Sequence, residues 1–281
     1  MKERLSQPFL TRVTEALSEL HPSERKLADL VLDFPGDMAG YTATELAELA
    51  EVSNATVTRF IRRIGYASFD EARRAVRDEQ RNGSALLRLA SGKAPADGVV
   101  DAHRNQSFQN LERTYELIDE GVVDSLCSAM IDAPKIWVVG FRAGQSHAQY
   151  LGWQVSQVLS SVSLLPRAGE TLAESVSSVS KNDIVILVAL RRNVKLAVPV
   201  AQSVKGNGAR LAVIEDRPLA GMPEATWRFS CVTSTNGPLM NHVATIALCN
   251  LIASRTIELS GADGRRRMAA IEKSHRHLDE M

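Results

Sequence analysis

A chain of 281 residues is long enough to form two domains, each with its own buried core. Its hydrophobic share of 44% and its charged share of 23% are ordinary for a soluble globular protein. The formal net charge is zero, which excludes a bulk polycation, so any affinity for nucleic acid must come from a local basic patch.

Cysteine and histidine usage does not indicate a metal centre or a disulfide framework. The three cysteines, Cys127, Cys231 and Cys249, are unclustered, which predicts reduced structural thiols in a cytosolic protein. The six histidines are scattered, with His275 and His277 in a charged tail, so we expect no metal and no cofactor. No apolar run resembles a signal peptide or a membrane span, so we expect a cytoplasmic protein without a membrane partner.

The first third of the chain is predicted to be helical. Apolar residues recur at helical spacing over residues 9–20, and a second helix is predicted from Pro22 to a stop at Phe34-Pro35-Gly36. Another helix is predicted from Phe69 toward Leu89. Three arginines near its start either reach DNA phosphates or form a solvated face: Arg73, Arg74 and Arg77.

The stretch from Thr42 to Tyr66 predicts two short helices joined by a tight turn. Thr42 and Glu45 have the spacing of a capping box, in which the two side chains satisfy free N–H groups at a helix start. Ser53 is placed to cap the second helix, and Gly65 is placed to end it. The first helix has a small apolar face made of Leu46, Ala47, Leu49 and Ala50.

The second of these helices has an apolar side and a polar side, at about 100° per residue. The apolar side consists of Val57, Phe60, Ile61 and Ile64, and the other side of Ala55, Thr56, Arg59, Arg62 and Arg63. This pattern is typical of a helix-turn-helix whose second helix enters the DNA major groove. The predicted contacts to double-stranded operator DNA are Thr44, Ser53, Asn54, Ala55, Thr56, Thr58, Arg59, Arg62 and Arg63. The alternative is an amphipathic helix pair in an ordinary core, with solvated arginines.

The distribution of charge favours the DNA-binding interpretation. Residues 54–77 carry six arginines and two acidic groups, whereas residues 1–53 carry five basic and ten acidic groups. Positive charge is therefore concentrated on the second helix and on the segment after it, which is where a DNA backbone would lie.

A polar segment, SGKAPADG, is predicted to separate two domains. The expected boundaries are an all-α helix-turn-helix domain at 1–90, a linker at 91–100 and a second domain at 101–281. The second domain is predicted to begin with helices at 101–119 and 122–133. The expected buried stripe of the first of these helices is Phe108, Leu111, Tyr115 and Ile118.

Strands and helices then alternate, which predicts an α/β fold with a parallel sheet flanked by helices on both faces. The predicted strands are 135–140, 162–165, 183–190, 210–214 and 227–232, and the predicted helices are 145–159, 171–179, 196–205 and 238–259. The last helix is long and apolar, so it belongs either to the core or to an interface. Ligands of such folds bind beyond the carboxyl ends of the strands, which places the loops 140–146 and 190–195 at the predicted site.

The order of these parts resembles the RpiR family of bacterial transcriptional regulators, whose second domain has the sugar isomerase (SIS) fold. The first domain is matched by ATELAELAEVSNATVTRFIRRIGYASFDEAR, and the second by IWVVGFRAGQSHA and GARLAVIEDRPLAG. The resemblance implies a homodimer or homotetramer built on the SIS domain, with effector binding coupled to operator binding.

Family members that sense sugar phosphates carry G-x-G-x-S after the first strand and S-x-S-G-x-T after the third, and this sequence departs from both. Arg142 stands at the second glycine and Gly144 at the serine, while the second loop reads ALRRNV without hydroxyls. The predicted effector site is therefore cationic and suits a carboxylate or a phosphate. Its residues are Gly140, Arg142, Gly144, Gln145, Ser146, Arg191, Arg192 and Asn193. The alternative is that the arginines pair with Glu170, Glu174 or Glu215, or face another subunit.

Three functions are compatible with these motifs. The first is a ligand-responsive DNA-binding repressor or activator, which is not an enzyme. The second is a sugar-phosphate isomerase with an accessory helical domain. Isomerisation needs a general base beside the substrate carbon, and His147, next to the first loop, is expected to pack or cap instead. The third is a dinucleotide binder, although Gly140 and Gly144 lack the G-x-G-x-x-G spacing.

Overall fold

The computed structural model describes residues 7–33, 35, 37–81, 86–88, 98–191, 195–235 and 237–280. The chain divides into two compact units. The N-terminal unit is Met1–His103 with Thr235–Met240, and the C-terminal unit is Arg104–Ser234 with Asn241–Met281. Of the predicted linker, residues 91–97 lie outside the described residues, whereas Val99 and Val100 form the first turn of a helix.

The described part of the N-terminal unit is helical, as the sequence predicts. Its α-helices are α1 Phe9–Ala16, α2 Pro22–Asp33, α3 Ala43–Leu49, α4 Asn54–Arg63 and α5 Phe69–Arg81. Short 3-10 helices occupy Leu17–Glu19, Asp37–Ala39 and Leu86–Arg88. Of the residues predicted to end α2 and α5, Phe34, Gly36 and Leu89 lie outside the described part.

A single hydrophobic core holds these helices together. Its largest fully buried side chains come from α1 to α4 and from two of the 3-10 helices, and include Phe9, Leu27, Met38, Leu46, Phe60, Ile61 and Leu87. Leu49 was predicted to join this core but is exposed. The buried positions of α3 are 46 and 47, followed by Ala50, and Leu49 lies outside the narrow face that they define.

The C-terminal unit is an α/β fold with a five-stranded, wholly parallel sheet in the order β2-β1-β3-β4-β5. The strands are β1 Ile136–Gly140, β2 Val162–Leu165, β3 Ile184–Ala189, β4 Arg210–Glu215 and β5 Trp227–Ser230. The helices are α6 Val99–Tyr115, which begins in the N-terminal unit, α7 Glu120–Asp132, α8 Ala143–Ser156, α9 Leu172–Ser177, α10 Ala197–Gly206, α11 Val243–Leu259 and α12 Gly261–Leu278.

Both faces of the sheet are covered, which explains the uninterrupted apolar runs of β1 and β3. Alternate side chains enter two separate cores. Ile136 and Val138 face the core formed with α7, α8 and α11, whereas Trp137 and Val139 face the core formed with α10. In the register, Gly140 pairs with Val188, so the ends of the two central strands meet at one edge of the sheet.

The predicted buried stripe of α6 is wrong. Phe108 and Tyr115 are 62% and 48% exposed, and the other members of the stripe, Leu111 and Ile118, are only half-buried. The helix instead packs through two polar residues. Asn110 donates a hydrogen bond of 2.8 Å to a carbonyl after β5, and Thr114 accepts one of 2.9 Å from an N–H in the same segment. A periodic apolar pattern contains no information about buried polar residues. The prediction based on it therefore buried the wrong face of α6.

The end of the chain also differs from prediction. The long apolar helix starts at Val243 rather than at Pro238, and the residues interpreted as a charged tail form α12. Only Gly264 of α12 is buried. No single helix in the described ranges is long and apolar enough to cross a membrane; α11 and α12 reach that length and hydropathy only as a pair, and the pair is bent by 106°.

The three cysteines are free and buried, as predicted for structural thiols. Burial raises the pKa of Cys231 to about 12 and that of Cys249 to about 12, and it also raises the pKa of Cys127. The thiols therefore stay protonated and unreactive at neutral pH.

Candidate functional site

Local hydrogen bonds fix the starts of α3 and α4 as the sequence predicts. Thr42 Oγ1 accepts from the Glu45 N–H at 3.2 Å, and the Glu45 carboxylate accepts from the Thr42 N–H at 2.7 Å, which completes a capping box. The N–H and the hydroxyl of Thr42 both donate to the Glu45 carboxylate, and these two bonds lower the pKa of Glu45. Ser53 Oγ accepts from the Thr56 N–H at 3.2 Å and so caps α4.

Gly65 ends α4 in the left-handed conformation, with φ +87°. The N–H of Tyr66 donates to the Ile61 carbonyl at 3.1 Å, and that of Gly65 donates to Arg62 at 3.0 Å. These two bonds form a Schellman motif, which satisfies the carbonyls of the last turn. Both ends of α4 are therefore fixed independently of any ligand.

The exposed face of α4 is a stripe at positions i, i+3, i+4 and i+7, formed by Ala55, Thr58, Arg59 and Arg62. We call it the α4 stripe. It presents a small residue and a hydroxyl toward the N-terminal half of the helix, with two guanidinium groups further along. Those are the side-chain types that contact base edges and phosphates in a major groove. Ser53, Asn54 and Thr44 are exposed near the starts of α4 and α3.

Thr56 does not point outward as the sequence analysis expected. It is 4% exposed, because α4 packs against α2, α3 and α5 and so buries more of its circumference than the apolar residues alone indicate. Its Oγ1 lies 3.0 Å from Ser53 Oγ and accepts a hydrogen bond of 3.0 Å from the Arg59 guanidinium. Thr56 thus orients Arg59 from below the exposed surface.

Arg63 also turns toward its own unit. Its Nε lies 3.1 Å from the carboxylate of Glu24, which is 1% exposed, and its Nη1 donates to the Glu19 carbonyl at 3.2 Å. These contacts fasten the last turn of α4 to the region of α2. The arginine thereby compensates a buried negative charge.

The three arginines of α5 have partners within the N-terminal unit. Arg73 pairs with Asp70 at 2.9 Å, Arg77 donates to the Ala39 carbonyl at 2.9 Å, and Arg74 donates to a carbonyl of its own helix. The sequence analysis considered phosphate contacts or a solvated face for these arginines. It did not predict the hydrogen bonds of Arg74 and Arg77 to backbone carbonyls.

The turn between β1 and α8 lies at the carboxyl edge of the sheet and is very closely packed. A Cβ on Gly140 would lie 2.2 Å from the Gly144 carbonyl oxygen, and a Cβ on Gly144 would lie 2.4 Å from the Val188 carbonyl oxygen. Gly140 is therefore required by packing within the turn, and Gly144 by packing of the turn against β3. Ser146 is exposed and Gln145 is half-buried on the first turn of α8.

Arg142 occupies this turn with a backbone conformation that favours glycine, φ +54° and ψ −123°. Among residues that are not glycine, such a conformation is strained and concentrates at functional sites. Its side chain is exposed. The position thus combines a backbone conformation that favours glycine with an exposed guanidinium group.

Arg191, on the loop after β3, has a buried acidic partner, although not one of the three glutamates considered from the sequence. Its Nε lies 3.0 Å from Asp216, whose carboxylate is fully buried, and its backbone N–H donates to the same carboxylate at 2.9 Å. Thr233 donates to Asp216 as well, at 2.9 Å. The other two residues predicted on this loop, Arg192 and Asn193, lie outside the described residues.

Two histidines meet at this edge, and sequence reasoning missed the second of them. The rings of His147, on α8, and His242, which precedes α11, lie edge to face with centroids 5.4 Å apart. His147 Nδ1 lies 2.8 Å from the Ala143 carbonyl oxygen. Burial, His147 and Arg191 lower the pKa of His242, and Asp216 opposes that change. Because the two histidines are 95 positions apart in the chain, no local signal pairs them.

No group of three or more His, Cys, Asp or Glu side chains with the geometry of a metal site occurs in the ranges that the structure describes.

Comparison with known proteins agrees with both halves of this architecture. Residues 8–83 match the helix-turn-helix domain of the rpiR family, and residues 129–255 match the SIS domain. The chain belongs to the RpiR family of transcriptional regulators. The first match spans α1 to α5, and the second contains all five strands of the sheet.

A relative of similar length agrees with this assignment, and two solved structures share the fold. The HTH-type transcriptional regulator HexR of Pseudomonas aeruginosa is 24% identical over 278 residues, which is 95% of either chain. The NanR protein of Vibrio vulnificus complexed with ManNAc-6P has a TM-score of 0.57 at 18% identity, over 96% of this chain and 98% of that one. The sugar isomerase domain of an RpiR transcription factor from Sphaerobacter thermophilus also has a TM-score of 0.57 at 18% identity, over 62% of this chain and 97% of that one.

Proposed function

We propose that this RpiR regulator reads operator DNA with the α4 stripe and responds to a small anion bound at the carboxyl edge of its SIS sheet. The observation that carries the DNA-binding half is the exposed stripe on a helix whose two ends are both capped. A pre-shaped helix loses little conformational entropy on binding, so its contacts can contribute to affinity and specificity.

The set of proposed DNA contacts is smaller than the set that the sequence analysis predicted. Thr56 and Arg63 are assigned to positioning α4, because one is buried and the other compensates buried Glu24. The remaining contacts are Thr44, Ser53, Asn54, Ala55, Thr58, Arg59 and Arg62. Arg59 is the strongest candidate for a base contact, because its hydrogen bond to Thr56 holds the guanidinium in one place.

A gel-shift titration of the full-length chain against the DNA upstream of its own gene tests this half. Arg59→Ala should weaken binding by about 1–3 kcal/mol if the side chain contacts a base edge. Arg25→Ala is the matched control, since Arg25 is an exposed arginine of α2 that pairs with Asp29. Wild-type affinity in both Arg59→Ala and Arg62→Ala, with unchanged circular dichroism, would remove α4 as the reading helix.

The effector half rests on the exposed Arg142 at the edge where this fold class binds ligands. A hydrogen bond to a charged group contributes about 1.5–3 kcal/mol. Removing this guanidinium should therefore weaken binding of a carboxylate or phosphate ligand about 10- to 100-fold. We propose a sugar phosphate or a carboxylate metabolite as the class, and NanR is a structural relative complexed with a phosphorylated sugar.

The effector half is tested by calorimetric titration of the full-length chain with anionic metabolites of the pathway that the neighbouring genes encode. Arg142→Ala is compared with Arg265→Ala, an exposed arginine on α12, which adjoins the opposite edge of the sheet. Operator affinity without ligand should stay unchanged in both variants. A neutral effector, or wild-type binding by Arg142→Ala, contradicts the proposed anion contact.

We also propose that the active species is a symmetric homodimer or homotetramer built on the C-terminal unit. Large aromatic side chains are exposed on its helices, with Phe108 and Tyr115 on α6 and Trp153 on α8. Exposed aromatic side chains are enriched at protein interfaces. Two helix-turn-helix units would read two half-sites about one turn of DNA apart. Light scattering of the full-length chain tests this, and a monomer at micromolar concentration contradicts it.

The isomerase remains the second candidate, and the observation that favours it is the His147–His242 pair at the ligand edge. An imidazole near a bound sugar phosphate could serve as a general base. A spectroscopic isomerase assay on phosphosugars, compared between wild type and His242→Gln, decides between the two. Turnover that disappears in the variant would favour the enzyme.

A further inference from the structure

The carboxyl edge of the sheet contains a group of titratable side chains that the DNA-binding function does not use. His147 comes from the first turns of α8, His242 immediately precedes α11, and their rings are in edge-to-face contact. His147 is 9% exposed, and Nδ1 of His242 is buried without a hydrogen-bond partner among the described residues. A buried polar atom without a hydrogen-bond partner is energetically unfavourable, so this nitrogen gains from acquiring one.

The tautomer of His147 follows from its partner. A backbone carbonyl can only accept, so the Nδ1 of His147, 2.8 Å from the Ala143 oxygen, carries the hydrogen. In the neutral ring the other nitrogen, Nε2, is then an acceptor.

The charged groups facing the pair balance one another. Arg191, after β3, is 3.0 Å from Asp216, after β4, and these two give no net charge. Cys231, after β5, has its pKa raised to about 12 by burial and stays a neutral thiol. Burial lowers the pKa of His242, with His147 and Arg191 acting in the same direction and Asp216 against them. Without a ligand His242 is therefore neutral at pH 7.

An anion placed here would meet little compensating charge apart from the exposed Arg142. A negative charge within about 4–6 Å of an imidazole favours the protonated ring. Binding of the anion and protonation of His242 are therefore thermodynamically linked, because each makes the other more favourable.

We propose that the His147–His242 pair takes up one proton when an anion binds at this edge, so that the regulator binds its effector more tightly as the pH falls. This inference rests on the proposed anionic effector. It adds a pH dependence of effector binding, which Arg142 alone would not give. His242, with its unsatisfied nitrogen, is the group that takes the proton, and His147 is its positioning neighbour. The sign follows from the linkage. The bound state holds more protons, so the dissociation constant rises with pH between the free and the bound pKa of His242.

Sulfate is the probe for the test, because its own charge is constant between pH 5.5 and 8.5, about the window in which histidine titrates. The histidine rings of the full-length chain are followed by nuclear magnetic resonance, in sodium chloride or in sodium sulfate at equal ionic strength. Sulfate should raise the pKa of His242 by about 1–3. The sulfate dissociation constant should rise about tenfold per pH unit within the linked window. The His277→Gln variant, altered at an exposed histidine of α12, should behave as wild type.

The readout in wild type does not depend on a variant that folds poorly, and His242→Gln serves only to assign the signal and to abolish the proton uptake. If sulfate binds without changing the pKa of either ring, the inference is wrong, but the proposal of an anionic effector is not contradicted. Absence of sulfate binding at every pH overturns the inference together with the anion contact. Operator affinity, measured by gel shift on the same samples, reports the DNA-binding half separately.

Discussion

Replacing Arg142 by glycine tests whether this turn stores backbone strain for the sake of its side chain. The conformation at φ +54° and ψ −123° costs a non-glycine residue about 1–3 kcal/mol. Glycine does not have that cost, but it loses more conformational entropy on folding than alanine does, which lowers stability by about 0.5–1 kcal/mol. Arg142→Gly should therefore be about 0.5–2 kcal/mol more stable than Arg142→Ala, which keeps the strain and loses the same guanidinium.

Thermal unfolding of the C-terminal unit, followed by calorimetry of the full-length chain, measures this difference. A change of 1 kcal/mol shifts the melting temperature by about 2–4 °C in a domain of this size. Both variants should lose effector affinity equally, because neither retains the guanidinium. As a control for a general effect of glycine, Arg265→Gly on α12 should be less stable than Arg265→Ala. If Arg142→Gly melts at or below Arg142→Ala, the strain argument is wrong.

Three further predictions concern stability and reactivity. Arg63→Ala leaves the buried carboxylate of Glu24 without its ion pair, so the N-terminal unit should lose about 2 kcal/mol in thermal unfolding, a value reduced for the partial exposure of Arg63. Gly144→Ala places a Cβ 2.4 Å from the Val188 carbonyl oxygen, so the C-terminal unit should melt many degrees lower or fail to accumulate in soluble form. Cys231, whose pKa is raised to about 12, should resist iodoacetamide at pH 8 in the native chain and react once it is unfolded; rapid labelling of the folded protein contradicts the assigned burial.

Local sequence signals predicted the parts of the fold that local chemistry determines. The caps of α3 and α4 follow from hydroxyl and carboxylate spacing, and the end of α4 follows from Gly65. The parallel sheet follows from uninterrupted apolar strands separated by helices. These features are encoded within a few residues of where they appear.

The errors arise where a distant residue decides the outcome. Phe108 was assigned to a buried stripe, but α6 is anchored by Asn110, whose partner lies more than 100 residues away. The contact of Arg63 with buried Glu24, which lies on another helix, was likewise not predicted. Hydrophobic periodicity does not register such polar partners.

The candidate effector site was predicted only in part for the same reason. Strand order predicted that the ends of β1 and β3 meet at the carboxyl edge, and their register confirms it. The two glycines and Arg142 lie at or just after the end of β1. The partner of Arg191 is Asp216, one position beyond a glutamate that was considered, and His242 lies just before α11, far from His147 in sequence. Only the three-dimensional register brings these side chains together.

The measurement that tests the central claim most directly is the base preference of Arg59→Ala. Fluorescence anisotropy would give the affinities of wild-type and variant full-length chains for the operator and for a set of single base-pair substitutions across each half-site, at one salt concentration. If the α4 stripe reads the operator, the variant loses discrimination of about 1–3 kcal/mol at one position of each half-site and keeps it elsewhere. A variant that retains the wild-type preference at every position would contradict the claim that this helix reads the DNA sequence.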